Sequence, residues 1–227
     1  MRDQFDSILL NGARAAGALI LQPHRALSVI RKNGRVMGAQ STAGWIHADY
    51  TFDASGSLRW LSRQLALPVR AASNTRLAIY GYAEGEYADR DDAPLFAELK
   101  TGWVWTARVR PNLYHWTRML PDGQPFDRSW RPAEFARLRP VGRTRGADVT
   151  WRILAECAGP GYFVLGEAAA LTDPSTSHGV LRALMSGMMA GHLAGRCGSE
   201  SSESKAYRQF VETQFAHDRA GLGHSFH

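Results

Sequence analysis

The segment that most constrains the fold runs from Tyr162 to Ala194. Its first four residues, Tyr162–Leu165, are apolar, and a short apolar run next to a turn is typical of a buried strand. Gly166 then permits a turn, and the polar loop that follows contains Asp173-Pro174. The segment therefore predicts a buried strand, a loop and a helix, in that order.

The predicted helix begins near His178 or Gly179 and is apolar on nearly every face. A helix with this pattern is buried rather than lying on a surface. Small residues that let another backbone approach closely recur along it: Ala183, Gly187, Ala190, Gly191 and Ala194. Its first turn presents unpaired N–H groups and about half a positive charge, so an electron-rich edge of a ligand can bind there.

This combination resembles the second flavin-contact motif of FAD-dependent monooxygenases, flavin-dependent halogenases and the related geranylgeranyl reductases. The residues that match are the strand, Gly166-Glu167-Ala168, Asp173-Pro174 and Ser177-His178-Gly179-Val180. The resemblance implies that FAD is the cofactor and that Glu167, where the family usually has Asp, binds the ribityl hydroxyls. It also implies that N–H groups around Gly179 and Val180 face the flavin ring, with Gly166 and Pro174 among the cofactor-binding residues.

His178 is the candidate catalytic residue and a candidate cofactor contact, because a titratable group close to the flavin ring could move protons. The alternative is that His178 only precedes the helix and has no chemical role. For the segment as a whole, the alternative is a buried strand, loop and helix that bind no ligand.

Helix-like and strand-like patterns alternate over residues 1–70. They predict a helix over Phe5–Ala16, a strand over Ala18–Leu21, a hairpin at Asn33-Gly34, a strand over Trp45–Phe52 and a helix over Ser57–Leu67. Asp53-Ala54-Ser55-Gly56 resembles the end of the strand that returns to the nucleotide-binding sheet of flavoproteins. Asp53 is therefore a candidate cofactor-binding residue, and an ordinary turn-forming role is the equal alternative.

The region from Ala71 to Ala155 carries many aromatic residues in strand-like runs, over Arg76–Tyr82, Trp103–Arg110 and Leu113–Met119. Because side chains alternate along a strand, Trp103 and Trp105 share one face. By resemblance this region is a β-sheet substrate domain, on which Trp103 and Trp105 line the substrate side. The alternative is that both tryptophans are core residues.

The predicted fold class is α/β (α+β), an incomplete FAD/NAD(P)-binding Rossmann-like domain with an inserted antiparallel β-sheet substrate domain. Residues 1–70 would form a partial FAD-binding domain and residues 71–155 the substrate domain. Residues 156–227 would return to the FAD-binding domain and end in a helix.

A flavoprotein of this type carries a strand, a Gly-x-Gly-x-x-Gly sequence and a helix whose N-terminus holds the FAD pyrophosphate. That pattern does not occur in the 227 residues. We therefore expect an N-terminally truncated FAD-dependent oxidoreductase, monooxygenase- or halogenase-like, that acts on a small organic substrate and receives electrons from a flavin reductase or NAD(P)H. The alternative is a non-catalytic remnant, or a subunit that needs a separate nucleotide-binding chain.

The charge pattern argues against a nucleic-acid partner, because the net charge of +6 comes from scattered residues and no basic block. Seven arginines between Arg128 and Arg152 form either an anion-binding face or a solvated surface. Cys157 and Cys197 have no metal-ligand spacing and make no disulfide framework. With no signal peptide and no membrane span evident, a cytoplasmic location is expected.

Overall fold

The structure is a computed structural model that describes residues 2–100, 102–120, 122–196 and 200–222. Its helices are α1 (Arg2–Ala15), α2 (Trp60–Gln64), α3 (Gly166–Ala169), α4 (Gly179–Ala194) and α5 (Glu200–Leu222). Its strands are β1 (Ala26–Lys32), β2 (Arg35–Ser41), β3 (Gly44–His47), β4 (Thr51–Asp53), β5 (Val69–Ala71), β6 (Leu77–Glu84), β7 (Leu95–Leu99), β8 (Gly102–Arg110), β9 (Leu113–Leu120), β10 (Arg139–Asp148), β11 (Arg152–Leu154), β12 (Ala158–Gly159), β13 (Tyr162–Val164) and β14 (Ala170–Leu171).

The chain divides into two compact units, one formed by Met1–Arg70 with Arg152–His227 and the other by Ala71–Trp151. The first unit contains the described α-helices and three small sheets, with strand orders β1-β2-β3, β12-β13-β4 and β14-β11-β5. The second unit is a five-stranded antiparallel sheet in the order β10-β6-β9-β8-β7.

The N-terminal hairpin and helix of the first unit match the sequence prediction. Asn33 and Gly34 connect β1 to β2 with positive φ angles of 50° and 79°, as a tight two-residue hairpin turn requires. The predicted strand over Ala18–Leu21 is wrong, because these residues adopt no regular structure and the Leu19 side chain is exposed. An apolar run forms a buried strand only where neighbouring strands pair with it and cover it.

The predicted strand over Trp45–Phe52 is two strands in different sheets. β3 pairs antiparallel with β2, and β4 pairs parallel with β13, which lies more than a hundred residues later in the sequence. The rings of Phe52 and Phe163 stack across the parallel pair with centroids 5.7 Å apart. Pairing between β4 and β13 brings the chain after Asp53 beside the loop after β13.

The C-terminal helix α5 holds the end of β13 in place. Tyr207 is fully buried, its ring meets Phe163 edge-on at 5.1 Å, and its hydroxyl donates a hydrogen bond to the Val164 carbonyl oxygen at 2.8 Å. Burial raises the pKa of the Tyr207 phenol, so this hydroxyl remains a donor. The same core encloses Cys157, whereas Cys197 lies outside the described residues.

Two helix predictions need correction. The helix expected over Ser57–Leu67 is a 3₁₀ turn followed by the five-residue helix α2, because Arg59 between them adopts a left-handed φ of 49°. The helix α4 is not buried all round, since only one narrow stripe, Arg182, Ser186, Ala190 and Leu193, is covered, and Met188 is 75% exposed. No helix in the described part of the chain combines the length and apolar character needed to cross a membrane.

In the second unit the predicted strands are confirmed with small shifts of their ends. One sheet face packs Ile79, Tyr114 and Trp116 against Phe135 and Leu138, which follow in the chain after β9. The other face carries a line of aromatic residues and His115, described below.

Candidate functional site

The loop after β13 begins at a position that favours glycine. Gly166 has a φ of 53°, and a Cβ atom there would lie 3.3 Å from the Cβ of Ala183 on α4. The Gly166 N–H donates to the Ser186 hydroxyl oxygen at 2.9 Å. Glycine therefore allows both the turn and the close approach of the loop to α4.

The polar segment between β14 and α4 is held by its own hydrogen bonds. The Asp173 carboxylate accepts from the Ser175 N–H at 3.0 Å, and the Thr176 hydroxyl donates to the Asp173 carbonyl oxygen at 3.0 Å. Pro174 follows Asp173 at the start of a 3₁₀ turn that ends at Ser177 in the left-handed region, with φ 57°. These local bonds fix the direction in which the chain enters α4.

The N-terminus of α4 carries no side-chain cap. His178 occupies the cap position, and its carbonyl oxygen accepts the first helical hydrogen bond from Arg182 at 2.8 Å. The N–H groups of Gly179, Val180 and Leu181 donate to no acceptor among the described residues. Unpaired N–H groups at the start of a 16-residue helix are an electropositive binding element.

A cavity of about 430 Å³ lies at this helix terminus, within the first unit. Five of the seven residues predicted to bind the cofactor line it: Gly166, Glu167, Pro174, Gly179 and Val180. The Glu167 carboxylate is exposed and accepts no hydrogen bond from a described residue. The cavity therefore combines unpaired backbone donors with one free carboxylate acceptor.

The two other predicted residues, Asp53 and His178, lie outside this lining. The buried Asp53 carboxylate accepts one hydrogen bond from the Ser55 N–H at 2.9 Å and one from the Leu61 N–H at 2.8 Å. These bonds tie the end of β4 to the start of α2, so Asp53 has the turn-forming role that is the alternative to cofactor binding. The Nδ1 atom of His178 lies 2.9 Å from Oδ1 of Asp218 on α5.

Arg182 and Asp218 form a buried ion pair that the sequence reasoning missed. Their side chains are 9% and 4% exposed. The Arg182 guanidinium donates to the Asp218 carboxylate, to the Thr172 hydroxyl at 2.6 Å and to the Ala170 carbonyl oxygen at 3.3 Å. Burial lowers the pKa of Arg182, and the negative charge of Glu167 opposes that change.

This ion pair supports the cavity from behind, because Arg182 and Thr172 both line it while Asp218 connects them to α5. The available sequence signal was an arginine within an otherwise apolar helix. Such a residue is rarely buried unless it is paired, and Asp218 is its partner.

The two predicted substrate residues lie on the sheet face of the second unit that is opposite the cluster around Phe135. Trp103 is 2% exposed and packs against Phe96 at 5.6 Å, so it is mainly a core residue. Trp105 is half-buried and its ring lies 5.7 Å from that of His115, which also contacts Tyr82 at 4.9 Å. Burial lowers the pKa of His115, so its neutral form is favoured.

Comparison with known proteins finds two kinds of relative, flavin-dependent halogenases and digeranylgeranylglycerophospholipid reductases. The predicted resemblance is confirmed: the chain is related to the FAD-dependent oxidoreductase superfamily. No family model matches the chain.

One relative is a digeranylgeranylglycerophospholipid reductase of Methanosphaerula palustris, 27% identical over 228 aligned positions that cover 90% of this chain and 55% of the reductase. A flavin-dependent halogenase of Armillaria mellea is 32% identical over 123 positions, covering 46% of this chain and 23% of the halogenase. The chain spans about half the length or less of the curated relatives that it matches.

Among solved structures, the myxobacterial chondrochloren halogenase CndH shares the fold with a TM-score of 0.79 at 22% identity, over 96% of this chain and 57% of the halogenase. At this identity the match shows the fold alone. The mixed helix and sheet class that the sequence predicted is therefore confirmed at the level of the halogenase fold.

Proposed function

We propose that the cavity at the start of α4 binds the ring and ribityl chain of FAD, in an oxidoreductase of the monooxygenase or halogenase type that acts on a small organic molecule. The observation that carries this proposal is the uncapped N-terminus of α4, which opens onto a cavity shared with Gly166 and Glu167. The names of the relatives, flavin-dependent halogenases among them, support the choice of cofactor.

The residues present fit this part of the cofactor. A volume of about 430 Å³ lies within the usual range for small-molecule sites. The N–H groups of Gly179 and Val180 match a ligand edge that carries carbonyl oxygens, and the free Glu167 carboxylate matches hydroxyl donors. Gly166 has no side chain to obstruct the cavity.

Bound FAD would supply the redox chemistry, and the protein would supply orientation and electrostatics. The positive end of α4 would stabilise negative charge on the bound ring. Arg182 would hold the loop next to α5 through its hydrogen bonds to Thr172 and Asp218. His178, which contacts Asp218, is proposed to position the start of α4. The half-buried Trp105 is the candidate substrate contact, and the buried Trp103 on the same sheet face supports it.

The proposal is tested by titrating riboflavin, FMN and FAD into the purified chain and following flavin fluorescence. The contacts described involve only the ring and ribityl portions, so we expect the three ligands to bind with similar affinity. E167A should weaken binding about tenfold, as expected for loss of a charge-assisted hydrogen bond. V180W should abolish binding by filling the cavity.

E212A is the matched control, because Glu212 is an exposed carboxylate of the same unit that lies outside the cavity. Circular dichroism spectra would establish that each variant is folded. If none of the three flavins gives a saturable signal with the folded wild-type chain, or if E212A weakens binding as much as E167A, the proposed site is wrong.

A second candidate function, a subunit that completes its site with a separate nucleotide-binding chain, is favoured by exposed apolar residues in the first unit. Leu58 and Leu181 are 67% and 52% exposed, and Phe52 stands on β4, an edge strand of a parallel pair. The occupant we infer is a strand–Gly-x-Gly-x-x-Gly–helix segment, because a parallel strand pair is normally covered on both faces.

This second candidate predicts self-association of the chain alone, measured by sedimentation, and its suppression by L181E. Adding the nucleotide-binding segment of a relative should restore a monodisperse complex that prefers FAD over riboflavin. A monodisperse wild-type chain that ignores the added segment would exclude the subunit role.

A further inference from the structure

A second cavity, of about 410 Å³, lies within the sheet unit beside an irregularity in β10. Val141 pairs with Tyr82 and Arg145 pairs with Tyr80, so three residues of β10 stand opposite the single residue Gly81 of β6. Gly142 begins this bulge with a φ of 71°. The bulge moves β10 away from the sheet face and opens the cavity there.

The floor and one wall of this cavity are apolar and firmly held. A Cβ atom on Gly81 would lie 2.8 Å from Cζ2 of Trp116, so the buried indole packs directly on the bare backbone of β6. Trp130 meets Trp116 edge-on at 5.3 Å, and the Arg118 guanidinium stacks on the Trp130 ring at 4.5 Å. Trp116 and Trp130 both line the cavity.

The rim is positively charged. Arg128, Arg131 and Arg143 line the cavity, and its lining contains no acidic residue. None of these three arginines forms an ion pair with a described residue. Other arginines of the same unit do have carboxylate partners: Arg90 pairs with Glu134, Arg108 with Asp91 and Arg139 with Glu84.

The nearest carboxylate along the chain does not neutralise this rim. Asp127 accepts hydrogen bonds from the Ser129 N–H at 2.8 Å and from the Ser129 hydroxyl at 2.6 Å, and these bonds hold the loop between Asp127 and Trp130. Asp127 lies outside the lining. The lining of the cavity therefore carries three arginines and no carboxylate to compensate them, and the guanidinium of one of them, Arg128, lies over the Phe126 ring at 5.7 Å.

We propose that this cavity binds a small molecule carrying at least two negative charges, a phosphate monoester or diphosphate, with the arginines on the phosphate and Trp130 beside its apolar part. A single carboxylate is satisfied by one bidentate arginine, whereas a phosphate group accepts from several. This inference concerns the second unit alone and does not depend on flavin binding in the first.

The test is isothermal titration calorimetry of the full chain with pyrophosphate, phenyl phosphate and benzoate at constant ionic strength. We expect saturable binding of pyrophosphate and phenyl phosphate, and no binding of benzoate. R128Q, R131Q and R143Q should each weaken binding about tenfold, the effect of losing one charge-assisted hydrogen bond. S129W should abolish binding by filling the cavity without changing the charge.

R145Q is the matched control, because Arg145 is exposed, lies on the same strand and does not line the cavity. It should leave the affinity within about twofold of wild type. Circular dichroism would show that every variant is folded. Equal losses in R145Q and R143Q would reduce the site to general charge attraction, and binding unaffected by S129W, or no saturable binding at all, would overturn the proposal.

Discussion

Removing the Asp218 carboxylate should destabilise the first unit strongly. Asp218 accepts hydrogen bonds from Arg182 and from His178. Asp218 and Arg182 form an ion pair in which both side chains are at least nine-tenths buried. In D218A the Arg182 guanidinium would remain between α4 and α5 without its buried partner, and only the exposed carboxylate of Glu167 would still act on its charge. A buried charge that has lost its partner costs far more than an exposed one.

The expected loss is about 3–5 kcal/mol in the free energy of unfolding, the range measured when one partner of a buried pair is removed. With a urea dependence of about 1–3 kcal/mol per molar, the midpoint should fall by roughly 2 M. The exposed pair Arg70–Glu212 gives the contrast, because its side chains are 60% and 67% exposed. E212A should therefore cost no more than about 1 kcal/mol.

Urea unfolding followed by circular dichroism at 222 nm measures this directly, because the described α-helices all belong to the first unit. A double-mutant cycle isolates the pair: R182M/D218A, which removes both charges, should be more stable than the sum of the single losses predicts. An unfolding loss below about 1 kcal/mol for D218A, or strict additivity in the cycle, would refute the reasoning.

Three further predictions concern single residues. G161A should lower the free energy of unfolding in urea by more than G44A does. At Gly44 a Cβ atom meets nothing within 4 Å, so G44A carries only the cost of a positive φ, about 1–3 kcal/mol. At Gly161 the φ is also positive, and a Cβ atom would in addition lie 2.0 Å from a backbone oxygen. Burial lowers the pKa of His115, so the native state binds a proton there less readily than the unfolded state does. The contribution of His115 to the free energy of unfolding should therefore be complete above pH about 6.5 and decrease below it. H115F should reduce that decrease when unfolding is compared between pH 7.5 and pH 5. Burial raises the pKa of Cys157 to about 12, so in a C197S background a thiol reagent at pH 8 should label Cys157 only after unfolding; rapid labelling of the native protein would contradict its burial.

Local chemistry in the sequence determined much of this fold. Asn33-Gly34 adopts positive φ angles readily, so the hairpin follows from two residues and the alternation around them. The apolar run at Tyr162, the glycine after it and the polar loop defined a strand, a turn and a helix start because each depends on neighbours within a few residues. The lining residues between Gly166 and Val180 were predictable for the same reason, because they belong to one continuous segment, whereas Ala54 and Gly56 reach the cavity only through the pairing of β4 with β13.

Only the tertiary structure decided what depends on residues far apart in sequence. Arg182 and Asp218 are 36 residues apart, and no local pattern indicates that they meet. The same Asp218 carboxylate contacts His178, which lies outside the cavity lining. The exposed face of α4 could not be predicted from the sequence either. An apolar pattern indicates which residues favour burial, whereas the elements that pack nearby decide which of those residues are covered.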